Sequence, residues 1–308
     1  VGKMNRPIIL DTDPGIDDAV ALAVLHHYRA DEVRLIVAGY GNIAKEHTVQ
    51  NALTMCSLLK WDVPVLPASD GPVKGGYETA AHIHGSDGLG GLFLSENKKT
   101  PVSTDDWLLY CYQTICAAGC ADYITLGPLT NLAMLLTRFP DVKRHLGTVV
   151  VMGGGIDMGN VRPFAEFNIF CDPQSAALVL REISDLALVP LNTTSAVAFT
   201  LPQIGEIGQQ DTALARAMQK ILTANYHACV RYGESGSTMH DSTAVLYYLF
   251  PELFTVRQCG IDVNCSDKPG RTSVTDVRHN VTLTKETDAP LLLQKIMACV
   301  KGESTPRG

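Results

Sequence analysis

The stretch Asp11-Thr12-Asp13-Pro14-Gly15-Ile16-Asp17-Asp18 puts four carboxylates within eight residues. No lysine or arginine lies between Pro7 and Tyr28 to offset them. Carboxylates this close repel one another and resist burial unless a positive group compensates. Turn formation or helix capping accounts for one or two of these acids, but not for four. A bound metal cation accounts for all of them, and hard oxygen ligands suit calcium or magnesium.

Three further groups have the residue types for chemistry. Glu166 and Asn168, in Ala165-Glu166-Phe167-Asn168 with Asn160 shortly before, supply acceptors and donors suited to sugar hydroxyls. His240-Asp241 precedes an apolar run. There Asp241 either caps a helix or adds a further metal carboxylate, with His240 facing a substrate. In His82-Ile83-His84-Gly85 an extended segment would point both imidazoles to one side. No third nitrogen or sulfur ligand is near enough in sequence for zinc, so a lid residue acting as proton donor or base contact fits better.

The elements that must position these groups follow from apolar patterning. Residues 8–11, 33–39, 63–66, 123–126, 148–152 and 186–191 read as strands. Residues 17–30, 46–60, 105–118, 129–139, 173–183, 212–230, 241–250 and 288–300 read as helices, with Asp172 as N-cap before Pro173. Short strands are expected near 260–264 and 280–283. Residues 67–101 and 156–171 read as long irregular stretches, which in a compact domain are usually functional or mobile. Strands alternating with helices predict an α/β fold: an open, mostly parallel sheet with helices on both faces. Ligands of such sheets bind beyond the carboxyl ends of the strands. Asp13, Asn42, Leu126, Met152 and Asn192 should therefore border one crevice.

Composition narrows the function classes. The chain has 308 residues, 46% of them hydrophobic, enough for a large core. Neither an internal repeat nor a low-complexity linker interrupts it, so a single domain over residues 1–308 is expected. A formal net charge of −7 without basic clusters argues against nucleic acid or an anionic membrane as partner. Nine scattered cysteines with no C-x-x-C pair point to a reducing cytoplasm rather than a disulfide framework. No apolar run is long enough to span a bilayer. The apolar residues 7–10 are too few, and too soon followed by acids, for a signal peptide.

The N-terminal acidic block closely resembles the signature of the inosine-uridine nucleoside hydrolases. Gly41-Asn42, His82-Ile83-His84-Gly85, Gly127-Pro128-Leu129-Thr130-Asn131, Met152-Gly153-Gly154-Gly155, Ala165-Glu166-Phe167-Asn168-Ile169 and His240-Asp241 are similar to that family's later blocks, in the same order. Ser242 departs from the pattern, standing where proline is frequent. The resemblance implies the nucleoside hydrolase fold and a calcium-dependent N-ribohydrolase that acts in nucleoside salvage, as a homodimer or homotetramer. It implies calcium binding by the carboxylates of Asp13, Asp18 and Asp241 and by the backbone carbonyl of Leu126. Asp17 and Asn168 would hold ribose hydroxyls. Asn160 and Glu166 would hold the 5′ end, with Phe167 in the same substrate-binding block. Met152 would contact the sugar, and Asn42 would support the acids. His84 and His240 would approach the nucleobase.

Cleavage of an N-glycosidic bond needs negative charge near the oxocarbenium-like carbon, a base for the attacking water and help for the leaving base. Asp17 and Glu166 suit the first need and Asp13 the second. His240, His84, Tyr226, His227 and Tyr232 are candidates for the third. Asp-x-Asp after an apolar strand also opens the haloacid-dehalogenase-type phosphatases, but Pro14 to Asp18 replaces their Gly-Thr turn. A non-catalytic nucleoside-binding protein is the other alternative. A phosphorylase fits poorly, because an acidic crevice repels phosphate.

Overall fold

The computed structural model describes residues 6–91 and 99–302. The chain runs through β1 (Ile8–Thr12), α1 (Ile16–Arg29), β2 (Val33–Ala38), α2 (Lys45–Leu58), β3 (Val65–Pro67) and the short α3 (Ala81–His84). It continues through α4 (Trp107–Ala117), β4 (Ala121–Thr125), α5 (Thr130–Arg138), β5 (Leu146–Met152), α6 (Phe167–Cys171), α7 (Pro173–Glu182) and β6 (Leu186–Val189). Then come α8 (Leu191–Thr194), β7 (Ala198–Phe199), α9 (Leu201–Ile207), α10 (Ala213–Arg231), β8 (Ser237–Thr238) and α11 (His240–Leu249). The last elements are β9 (Phe254–Val263), β10 (Thr272–Thr275), β11 (Val281–Thr287) and α12 (Ala289–Lys301).

The main sheet has nine strands in the order β10-β9-β11-β6-β5-β4-β1-β2-β3. The neighbours from β3 to β11 pair in parallel, while β9 and β10 form an antiparallel edge. β7 and β8 make a separate antiparallel pair. Strand alternation divides the core between the two faces. Ile8, Leu10, Ile124 and Val150 pack into one apolar cluster with residues of α1, α10, α11 and α12. Ile9, Tyr123, Val149 and Val151 pack into the other, with residues of α4, α5 and α7.

The helix ends follow their capping chemistry. Asp172 accepts from the Ser175 amide at 3.1 Å at the start of α7, with Pro173 in its first turn. Asp288 does the same for α12 through Leu291, and Gly302, with φ of +72°, closes that helix in the left-handed region.

Some elements differ from the sequence expectation. β9 starts at Phe254, well before residue 260, because pairing with β11 recruits a polar segment whose pattern alone carries no strand signal. β10, Thr-Ser-Val-Thr, is an edge strand of the same kind. α3 lies inside the stretch read as irregular, and it corrects the extended reading of His82 and His84. Helical spacing turns the two imidazoles apart, leaving His82 exposed and His84 buried. Residues 92–98 of that stretch lie outside the described residues.

The chain leaves β1 for β2 and β3 on one side, then crosses to β4 on the other. A topological switch point therefore lies between β1 and β4, where open α/β sheets form their ligand crevice. It is stapled by Asn131, whose Nδ2 donates to Asp11 Oδ1 at 2.8 Å. Its Oδ1 accepts from the amide and hydroxyl of Ser69, beyond β3, at 3.2 and 2.5 Å. Tyr123 of β4 donates to the other Asp11 oxygen at 2.8 Å.

Asn131→Ala leaves a buried Asp11 oxygen without its donor. We expect about 1–3 kcal/mol of destabilisation, read as a lower urea midpoint. A stability unchanged to within about 0.5 kcal/mol would contradict this role for Asn131.

Candidate active site

The crevice at the switch point is built mainly from strand ends and helix starts. Asp13 follows β1, and Gly41-Asn42 follow β2. Leu126-Gly127 follow β4, and Met152 ends β5. Asp17 and Asp18 occupy the first turn of α1, and Asp241 the first turn of α11. Helix N-termini favour negative side chains, so both helices help to hold these acids in place.

Asp17, Asp18 and Asp241 each offer a carboxylate oxygen within 4.8 Å of the others, and all three are buried. Asn42 joins Asp13 to this group. Its backbone amide donates to Asp13 Oδ2 at 2.7 Å, and its side-chain amide donates to Asp18 Oδ2 at 3.0 Å and to the Asp13 carbonyl at 3.2 Å. Asp18 also accepts from Thr12 Oγ1 at 2.5 Å and the Gly15 amide at 2.9 Å. Asp13 is confined by backbone. A Cβ on Gly127 would stand 2.5 Å from Asp13 Oδ1, and one on Gly41 would collide with Oδ2. Asp11 stands apart, satisfied by Tyr123 and Asn131.

Burial, then the neighbouring acids, push Asp13 and Asp241 well above the usual carboxylate range. Burial and Asp18 raise Asp17 to about 7, and burial raises Asp18. The influences on these four come from one another, from Asp11, from burial and from hydrogen-bond donors, with no cation of the described residues among them. Asp13 Oδ1 is buried with no hydrogen-bond partner among the described residues. An oxygen donor set with excess negative charge and an orphaned carboxylate oxygen fits a hard divalent cation.

The second group lies on the β5 side. Asn168 Nδ2 donates to the carbonyls of Leu126 at 2.6 Å and Met152 at 3.2 Å, and contacts Met152 Sδ at 3.4 Å. Glu166 caps α6, accepting from the amides of Asn168 (2.8 Å), Gly154 (2.9 Å) and Ile169 (3.1 Å). Burial raises its pKa against those bonds. Asn160 is exposed and accepts from the Phe167 amide at 3.0 Å.

The histidines are held differently. His84 Nδ1 accepts from the Ile16 amide at 3.0 Å, and burial, His82 and His240 lower its pKa to about 3. His240 Nδ1 lies 2.7 Å from Thr194 Oγ1, and burial lowers its pKa. His82 meets the Tyr232 ring edge-on at 5.3 Å, and Tyr226 and His227 meet edge-on at 5.7 Å.

Of the strand-end residues expected at one crevice, Asp13 and Asn42 bond each other, and Leu126 and Met152 are bridged by Asn168. Asn192 belongs to neither pair. Its side chain is exposed and bonds the backbone of Ile156, and Thr194, two residues on, reaches His240 instead. Three participants escaped the sequence reading. Thr12, between two aspartates, and Thr194, at a polar strand end, carry no pattern that announces these contacts. Asn51, whose amide donates to the carbonyls of Pro14 and Asp87, had no signal inside α2. Ser242 Oγ is buried without a partner, which nothing in the structure explains.

Residues 8–294 match the family model described as inosine-uridine preferring nucleoside hydrolase. The chain belongs to that family. It is a nucleoside N-ribohydrolase acting on ribonucleosides. It is 32% identical over 281 residues to the non-specific ribonucleoside hydrolase RihC of Shigella dysenteriae, covering 89% of each chain. It is likewise 32% identical over 275 residues to RihC of Escherichia fergusonii, again with 89% of each covered. Among solved structures, the purine-preferring ribonucleoside hydrolase from Gardnerella vaginalis superposes with a TM-score of 0.90 at 25% identity. The match covers 96% of this chain and 98% of that one. The plant nucleoside hydrolase PpNRh1, at 24% identity and a TM-score of 0.88 over 97% and 99% of the two chains, shares the fold. Among the described residues no helix is long and apolar enough to cross a membrane.

The raised carboxylates make stability depend on pH and cation together. Asp17 titrates near 3.8 when unfolded and near 7 when folded. Above the lower value the folded state holds more protons, so stability falls as pH rises toward 7. Stripped of divalent cations, the nucleoside hydrolase should show a Tm that drops between about pH 5 and pH 8. Added calcium should raise Tm more at pH 8 than at pH 5. A calcium effect equal at both values would contradict binding by these acids.

Proposed function

We propose that this nucleoside hydrolase is a calcium-dependent enzyme that cleaves the N-glycosidic bond of purine and pyrimidine ribonucleosides for nucleoside salvage. The carrying observation is the buried, partnerless Asp13 Oδ1 beside the converging Asp17, Asp18 and Asp241. In this reading Asp13, Asp18, Asp241 and the Leu126 carbonyl would hold calcium. When bound, the ion would offset the acids and make a nearby water easier to deprotonate.

The chain's own residues do the rest. Asp13 takes the proton of the attacking water, a general-base role for which its free Oδ1 suits it. Asn42 holds its other oxygen still. Asp17 and Asn168 grip ribose hydroxyls, and Met152 packs against the sugar. Asn160, Glu166 and Phe167 hold the 5′ end. The negative charge of Asp17 and Glu166 favours the oxocarbenium character of the anomeric carbon. His240 and His84 face the nucleobase and assist its departure. Breadth toward bases is supported by the relatives named as non-specific. The one sheet with strands from β1 to β11 supports a single domain. We assign the enzyme to the cytoplasm, as a homodimer or homotetramer.

The test is a reducing-sugar assay on inosine, uridine, cytidine and adenosine, with and without chelator. Free ribose should form from both base classes, cease with chelator and return with calcium. Binding without ribose release, or release unaffected by chelation, would overturn the reading. Asp13→Ala should lower turnover about 10²–10⁴-fold with calcium present. Near-normal turnover in that variant would remove Asp13 from the general-base role.

A further inference from the structure

Two asparagine amides take consecutive backbone carbonyls of the acidic turn. Asn42 donates to the Asp13 carbonyl at 3.2 Å, and Asn51 donates to the Pro14 carbonyl at 2.9 Å. Asn51 has no place in the reaction described above. Its Nδ2 also donates to the Asp87 carbonyl at 2.8 Å, so both of its N–H groups are spent, on two segments far apart in the chain. We propose that Asn51 is the positioning residue of the ion-binding turn: through its one amide, calcium binding by the turn and the order of the 84–91 loop are a single linked event. This rests on the calcium reading of the acids given above and deepens it.

Asn51 is held from behind. It is buried within α2, and Thr48, about one turn earlier, donates from Oγ1 to the Gly39 carbonyl at 2.7 Å, just past β2. The amide is therefore referred to the sheet. The loop in turn lies directly on the acidic turn. The Ile16 amide donates to His84 Nδ1 at 3.0 Å, and a Cβ on Gly15 would stand 2.6 Å from that nitrogen. Gly88, with φ of +79°, comes so near that a Cβ on it would lie 2.7 Å from Asn51 Nδ2. The loop keeps its own shape through Asp87, whose carboxylate accepts from the amides of Leu89 at 3.2 Å and Gly91 at 3.0 Å. Leu89 is buried in the apolar cluster that includes residues of α1 and α10.

The two segments are linked by geometry. The two N–H directions of a planar amide are fixed relative to each other. Asn51 satisfies the Pro14 and Asp87 carbonyls together only when both segments are in place. Repulsion among the acids that shifts the turn takes a donor from one of these carbonyls, and a buried polar group without a partner is costly. A cation that draws the acids together favours the arrangement in which the loop is also bonded. Linkage makes the effect reciprocal, so whatever loosens the loop weakens the ion.

The test uses the full chain, stripped with chelator and titrated with calcium chloride. Calorimetry gives the calcium affinity. Amide hydrogen exchange gives the ratio of rates without and with calcium in two peptides, 11–18 and 84–91. In the parent protein calcium should slow exchange in both. Asn51→Leu keeps nearly the same side-chain size and removes the donors. It should bind calcium about fivefold or more weakly, the lower end of ordinary coupling between sites. Calcium should still slow exchange in 11–18 of this variant, but no longer in 84–91. A merely structural loss would speed exchange everywhere and leave the 84–91 ratio as in the parent. Asp87→Ala, altered in the loop alone, should also weaken calcium about fivefold or more, and it carries the test if Asn51→Leu does not fold. Calcium affinity within about twofold of the parent in either folded variant would overturn the role of Asn51. So would an 84–91 ratio in Asn51→Leu equal to that of the parent. A parent protein that binds no calcium would instead overturn the metal reading, and this inference with it.

Discussion

Buried negative charge without a built-in counter-charge is the constraint on which the rest of this structure depends. Asp13, Asp17, Asp18 and Asp241 sit at the mouth of an apolar sheet, each out of water and each with its pKa raised by burial. In a low-dielectric setting such a group is tolerable only when protonated, hydrogen-bonded or beside a cation. The fold supplies two helix N-termini and a network of donors from Thr12, Gly15 and Asn42. It leaves Asp13 Oδ1 unsatisfied. A polar atom of this kind has a cost in stability, and its persistence marks a place that the fold completes from outside.

The surroundings keep this arrangement rigid. Backbone at Gly41 and Gly127 closes on the Asp13 carboxylate so tightly that a methyl group at either position would strike it. Asn131 and Tyr123 hold Asp11, so the strand end from which Asp13 projects is clamped to β4, α5 and the segment after β3. On the β5 side, one amide of Asn168 spans two strand ends by reaching the carbonyls of Leu126 and Met152. Sites carried by strand ends and helix starts hold their geometry better than sites on free loops, as a reaction that needs a water and an anomeric carbon in register requires.

The same geometry sorts the rival chemistries. A phosphatase of the Asp-x-Asp type needs its first aspartate free to attack. Here Asp11 is buried, bonded through both oxygens to Tyr123 and Asn131, and separate from the acidic group. Asp13, the second of the pair, is the one with the open oxygen. The family match over residues 8–294 agrees with that division of labour.

Much of this was legible in the sequence, because the informative signals were local. Of the four acids between residues 11 and 18, Asp13, Asp17 and Asp18 crowd together with no cation nearby in the chain and call for an ion once buried, whereas Asp11, first in the same run, is satisfied instead by Tyr123 and Asn131. Apolar runs ending in polar residues mark strand ends, and parallel strands put those ends on one edge. Asp172 before Pro173 states its own helix start. Tertiary structure decided what depends on distance across the chain. Whether Asp241 is a cap or a member of the acidic group turns on the packing of α11 against α1, more than two hundred residues apart in sequence. The orientations of His82 and His84 turned on a single helical turn too short to show a period. β9 exists because β11 offers it an edge, and β10 because β9 in turn offers one. Thr194 and Asn51 act through one hydroxyl and one amide, whose worth lies wholly in what stands opposite them. A hydrogen bond has no periodicity, so no sequence pattern announces it.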